Sequence, residues 1–104
     1  MKEAAFTIVY PTPQTFKEHY QAVLAMIPET RSFPGCLQAC VGLNQKRLEI
    51  SVFHLWETTE HLDDYMTWRA ERGDLDARSA TMRREQEFRT YSVPGPLPHL
   101  TPAP

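Results

Sequence analysis

Residues 36–57 read CLQACVGLNQKRLEISVFHLWE. Two β-rich runs, Cys36 to Leu43 and Arg47 to Glu57, flank the polar Asn44-Gln45-Lys46, which is the pattern of a hairpin with a short turn. The second run places Leu48, Ile50, Val52 and Trp56 on one side and Phe53 and Leu55 on the other. Both faces of the sheet it joins therefore carry apolar groups. His54 and Trp56 share a side near its end, beside the start of the next element, which is where the mouth of a pocket is expected.

Upstream of the hairpin, Ala4 to Tyr10 alternates with period two and is stopped by Pro11 and Pro13, giving a first strand. Thr12 then reads as an N-cap with Pro13 at the first helical position. Phe16, Tyr20, Val23, Leu24 and Ile27 follow at helical spacing. Pro28 disfavours helical geometry at Ile27, so this helix is expected to end or kink there and to pass through a connection closed by Phe33-Pro34-Gly35.

Downstream, Thr58 or Thr59 caps a second helix whose Leu62, Tyr65, Met66 and Arg69 share a face and which ends near Gly73. A third helix is expected from Asp74, with Asp74 and Asp76 in its first turn, Arg83 and Arg84 near its end, and Leu75, Ser79 and Met82 as its inner stripe. Phe88 to Val93 alternates as a fourth strand. The order β-α-β-β-α(α)-β is that of a ferredoxin-like α+β fold with a four-stranded antiparallel sheet and helices on one face. The domain is expected over residues 1–93, with a proline-rich tail over 94–104, where five of eleven residues are proline.

Composition narrows the function classes. A chain of 104 residues holds one core. A formal charge of −2 without runs of like charge gives no electrostatic footprint for nucleic acid. The amino end lacks the long apolar stretch of a secretory signal or membrane span, so a soluble, cytoplasmic protein without membrane partners is expected. Cys36 and Cys40 on one strand would lie about 13 Å apart, too far for a disulfide, and are read as buried small hydrophobes. His61 and His99 are not spaced to join His54 in a metal triad, and the four scattered glycines form no phosphate loop. The sheet's second apolar face, at about 25 cal/mol per Å² left in water, predicts a homodimer in which two sheets pack as a barrel with helices outside.

At Arg31-Ser32-Phe33-Pro34-Gly35-Cys36, and at Leu55-Trp56-Glu57 running into Thr58-Thr59-Glu60, the chain resembles the antibiotic biosynthesis monooxygenase family, with matching element order over residues 4–93. The resemblance implies a dimeric α+β barrel. It also implies oxidation of a polycyclic phenol or anthrone by dioxygen in polyketide metabolism, without flavin, haem or metal. Where many members carry a histidine on the second helix, this chain has Tyr65, in the segment Tyr65-Met66-Thr67-Trp68-Arg69.

The candidate catalytic residues are His54, Tyr65 and Arg69. A neutral imidazole at His54 is suited to removing a phenolic or benzylic proton, and an arginine beside a tyrosine to stabilising a phenolate. The candidate substrate-binding residues are Trp56, for stacking on a planar ring, with Trp68 and with Tyr20 from the first helix. The ligand expected is a small aromatic substrate. Two further classes fit the same residues: a cyclase, isomerase or lyase acting on a polyketide-like intermediate without oxygen, and a non-catalytic dimer that captures an aromatic metabolite.

Overall fold

The computed structural model describes residues 1–73 and 81–94. Its elements run β1 (Lys2–Val9), α1 (Phe16–Ser32), β2 (Cys36–Asn44), β3 (Glu49–Trp56), α2 (Thr59–Glu71) and β4 (Glu87–Val93). The four strands form one antiparallel sheet in the order β2-β3-β1-β4, the α+β arrangement expected from the alternating patterns.

Opposed residues share a face. Ala5, His54 and Ala39 therefore line up across the helix-covered side, as do Thr7, Val52 and Val41. On that side Ile50, His54 and Trp56 are buried, and two apolar clusters form. One joins Ala5, Trp56, Leu62 and Tyr65, with Phe33, Met66 and Trp68 packed on it. The other joins Val9, Phe16, Val23 and Ile50, with Tyr20, Val41, Leu48, Val52 and Met82 packed on it.

On the opposite side, Phe6 stands 5.1 Å from Phe53 and 5.7 Å from Tyr91 between ring centroids, and Phe6, Tyr91 and Val93 are exposed. This uncovered face also holds Cys40, opposite Phe53. Both cysteines are free thiols: Cys40 is exposed rather than the buried hydrophobe expected, because no helix covers that face, whereas Cys36, opposite Trp56, is half-buried and packs on the first cluster.

Three local readings are corrected. First, α1 does not start at Thr12. The Thr12 backbone N–H donates to the Thr81 carbonyl (3.2 Å) and Pro11 bridges Met82, which holds this corner outside the helix; Pro13–Thr15 form a turn, and the helix begins at Phe16 with Thr15 as its N-cap.

Second, α1 does not stop at Pro28 but continues to Ser32, although an interior proline costs about 3 kcal/mol. Ile27 and Thr30 on either side of it are buried. The Thr30 hydroxyl is tied to the Met26 carbonyl (3.2 Å) and the Tyr65 hydroxyl (2.7 Å), and these tertiary contacts override the local preference. The buried stripe accordingly runs Phe16, His19, Val23, Ile27, Thr30, and Leu24 is exposed.

Third, the expected helix from Asp74 lies largely on residues 74–80, outside the described residues. Its expected end is not helical: Met82 bridges Pro11, and the guanidinium groups of Arg83 and Arg84 lie over the Tyr10 ring (5.4 and 4.2 Å). Arg83 also donates to the carbonyls of Pro11, Leu48 and Arg47 (3.1, 2.8 and 2.7 Å), fastening the β2–β3 turn to the segment that leaves β1. Leu48, read from sequence as strand, sits in that turn with a left-handed φ of 54°.

The start of α2 follows the sequence closely. Thr58 caps it by accepting from the His61 backbone N–H (3.2 Å). Among the described residues no helix is long and apolar enough to cross a membrane.

Candidate active site

The two apolar clusters do not close on each other. A cavity of about 240 Å³ lies between α1, α2 and the middle of the sheet. Its apolar walls come from Val9 and Val52 on the sheet, Val23, Met26 and Ile27 on α1, and Met66 on α2. Phe88 at 42 % exposure is the most open of the lining residues and marks the free side, next to Gln86. Thr7, Thr30, His54, Tyr65 and Arg69 supply the other polar groups.

His54 projects from the centre of β3 between two alanines, Ala5 on β1 and Ala39 on β2, all three nearly inaccessible. Only a short side chain on each neighbour leaves room for the ring. Its Nδ1 accepts a 2.6 Å hydrogen bond from the Trp56 indole Nε1–H. Burial, and after it the Arg69 cation, push the imidazole down to about 4, so His54 is neutral at pH 7.

Arg69 is 1 % exposed. Its Nε donates to the Tyr65 hydroxyl (2.8 Å), and Nη2 donates to Thr30 Oγ1 (3.2 Å) and the Met26 carbonyl (3.4 Å). Nη1 lies 3.6 Å from Glu29 Oε1, while the other oxygen of Glu29 pairs with Arg72 at 2.8 Å. That Arg72 hydrogen bond is the main reason the Glu29 carboxyl is held below its usual range. A buried cation is tolerated only when hydrogen-bonded in this way, and the α1 carbonyl, Thr30 and Tyr65 provide the bonds. With the Thr30 proton directed to Met26, the Tyr65 hydroxyl donates to Thr30 and accepts from Arg69.

The structure thus brings His54, Tyr65 and Arg69 together on the cavity wall. It does not bring the three residues expected to bind substrate there. Trp56 is wholly buried beneath Tyr65, 4.9 Å between centroids, and its polar atom faces His54 rather than the cavity. Trp68 is a platform for cations, with the guanidinium carbons of Arg69 and Arg72 at 4.8 and 4.6 Å from its ring centroid. Tyr20 packs on the Val9–Ile50 cluster. Sequence reasoning missed Thr30, Met26 and Gln86. The first two lie in or beside a stretch that Pro28 made look like the end of a helix, and Gln86 precedes a strand whose pattern starts after it.

No family model matches the chain, and no curated protein matches it. Solved structures do. A candidate antibiotic biosynthesis monooxygenase from Deinococcus radiodurans aligns with a TM-score of 0.79 at 13% identity, covering 93% of this chain and 96% of that one. Another, from Nitrosomonas europaea, aligns at 0.73 and 12% identity over 91% and 92%. A third antibiotic biosynthesis monooxygenase aligns at 0.75 and 16% identity over 88% and 99%. The fold is that of the antibiotic biosynthesis monooxygenases. At these identities the likeness concerns architecture alone.

Proposed function

We propose that the chain oxidises a small electron-rich phenolic aromatic with dioxygen inside this cavity, without a bound cofactor. The supporting observation is the pairing of apolar walls with a buried arginine and a neutral imidazole on one wall. A phenol held there is favoured as its phenolate, because the Arg69 charge acts through a poorly solvated medium.

The phenolic proton leaves to solvent, and the phenolate passes one electron to dioxygen. The aryloxyl and superoxide radicals combine to form a carbon–oxygen bond at a ring carbon. Loss of water then leaves a quinone. One oxygen atom enters the product, and the other leaves as water with the phenolic hydrogen and the hydrogen of the attacked carbon. The protein supplies desolvation and orientation.

Cavity size refines the substrate class expected from sequence. An apolar cavity of about 150 Å³ holds benzene, so about 240 Å³ suits one or two fused rings rather than a fully enclosed three-ring anthrone. A naphthol is the natural trial substrate. Oxygen uptake on mixing with 1-naphthol or 2-naphthol, with quinone appearing at equal rate, is the expected result. A panel of naphthols and smaller phenols that consumes no oxygen rejects the proposal. Product formed equally well under nitrogen from a ketone of the same size favours an isomerase or cyclase, a reading that a neutral hydrogen-bonding His54 also suits.

The reading includes a homodimer. The exposed rings of Phe6 and Tyr91, continued by Phe53 and Leu55, make a sheet face of the kind that a second copy covers.

A further inference from the structure

We infer that Trp56 is a positioning residue that locks His54 in one tautomer, so that the cavity meets its ligand with a fixed N–H donor at Nε2 and takes molecules offering a carbonyl or phenolate oxygen there. An indole nitrogen can only donate. The 2.6 Å contact from Trp56 Nε1 therefore requires a lone pair on His54 Nδ1, and a neutral imidazole then carries its proton on Nε2. Turning the ring over would set a C–H against the buried indole N–H and leave that donor without an acceptor, a desolvation penalty that holds the ring in its observed orientation.

The other nitrogen is aimed differently. Among the described residues no fully buried side-chain nitrogen or oxygen lacks a hydrogen-bond partner. Among these same residues His54 Nε2 has no hydrogen-bond partner, so it retains accessible surface, and His54 is a lining residue of the cavity. The ring is held from all sides: Ala5 and Ala39 flank it in the sheet, and the rings of Trp56 and Tyr65 stand 5.7 and 5.5 Å away, both edge-on.

This arrangement reassigns His54. The sequence suggests a base, but Nδ1 is occupied by Trp56 and Nε2 already bears hydrogen, so the residue offers a proton for hydrogen bonding rather than accepting one. The inference deepens the proposed oxygenation by naming what the cavity recognises. It rests on that reading only in treating the cavity as a ligand site.

Long-range nitrogen–proton NMR of the wild-type chain at pH 7 tests the lock directly, and His54 is expected to show a protonated Nε2 and an unprotonated Nδ1. In Trp56→Phe the two nitrogens are expected to shift toward averaged values. Binding of 1-tetralone against tetralin, which has the same skeleton without the carbonyl, reads the donor. The ketone is expected to bind about tenfold more tightly, a preference lost in His54→Phe and reduced severalfold in Trp56→Phe.

A wild-type Nδ1–H tautomer, or equal affinity for the two probes, overturns the inference, as does a Trp56→Phe protein with an unchanged tautomer. Should Trp56→Phe fail to fold, the wild-type spectrum and probe pair still decide. Failure of naphthols to consume oxygen would sink the oxygenase reading alone, because neither the tautomer nor the probe preference depends on turnover.

Discussion

Replacing His54 with asparagine removes one titrating group while keeping an oxygen in reach of the Trp56 indole N–H, and its effect on the pH dependence of folding follows from the buried ring. In the unfolded chain the imidazole titrates near 6.5. In the folded protein burial and Arg69 push it down to about 4. The unfolded state therefore binds more protons between these values, and stability falls as pH drops from about 7 toward 4, then levels off. At about 1.4 kcal/mol per pH unit, the wild type loses about 2 kcal/mol by pH 5 and about 3 kcal/mol once pH is below 4.

Among the described residues the ionisable groups facing His54 are Arg69 and Tyr65 from α2 and, along the same face of β1, Glu3, two residues from Ala5, the strand partner of His54. All remain in the variant, so their contributions cancel in the comparison. Urea unfolding followed by tryptophan fluorescence from pH 8 to pH 4 should show His54→Asn less stable at pH 8 but with the shallower decline, the two curves converging by about 2 kcal/mol at pH 5. Parallel curves would mean that His54 titrates alike in both states, and the account of a neutral, locked imidazole would be wrong.

Gly35 has φ 87°, and a Cβ there would lie 2.2 Å from His61 Cγ, so Gly35→Ala combines backbone strain with a clash. A loss of more than about 1 kcal/mol in urea unfolding is expected, with little recovered in a Gly35→Ala, His61→Ala double variant, because alanine keeps the His61 Cβ that also crowds the new methyl and the backbone strain remains. On the uncovered sheet face, Phe6→Lys places a charge between Phe53 and Tyr91. Sedimentation should show the wild type as a dimer and the variant shifted to single chains at equal concentration, and a wild type that sediments as a single chain at high concentration would refute the assembly.

The sheet was legible because period-two alternation at residues 4–10 and 88–93 and the β-rich runs on either side of Asn44-Gln45-Lys46 match strands joined by a tight turn, and because Thr58 and Gly73 punctuate α2 as free-standing helix signals would. What escaped was decided by partners remote in sequence. Pro28 breaks a helix in isolation, but here Tyr65 and Arg69 reach across from α2 to hold Thr30 and the Met26 carbonyl. Likewise Arg83, placed by pattern at the end of a helix, is recruited by three carbonyls that belong to other loops. At the candidate site, spacing put Tyr65 and Arg69 on one face of α2 and His54 on one face of β3. It could not tell whether Trp56 faces the hollow or the ring beside it, since both lie on the same side of the strand.

Ala5 and Ala39 have no reactive atom, yet they set the berth in which the imidazole lies. A methyl group or two added at either position would crowd the imidazole, which the rings of Trp56 and Tyr65 already confine at 5.7 and 5.5 Å. Attempts to reshape this pocket for bulkier guests would therefore do better to trim Met26 or Met66, whose unbranched chains yield, than to alter the inert pair that seats the imidazole.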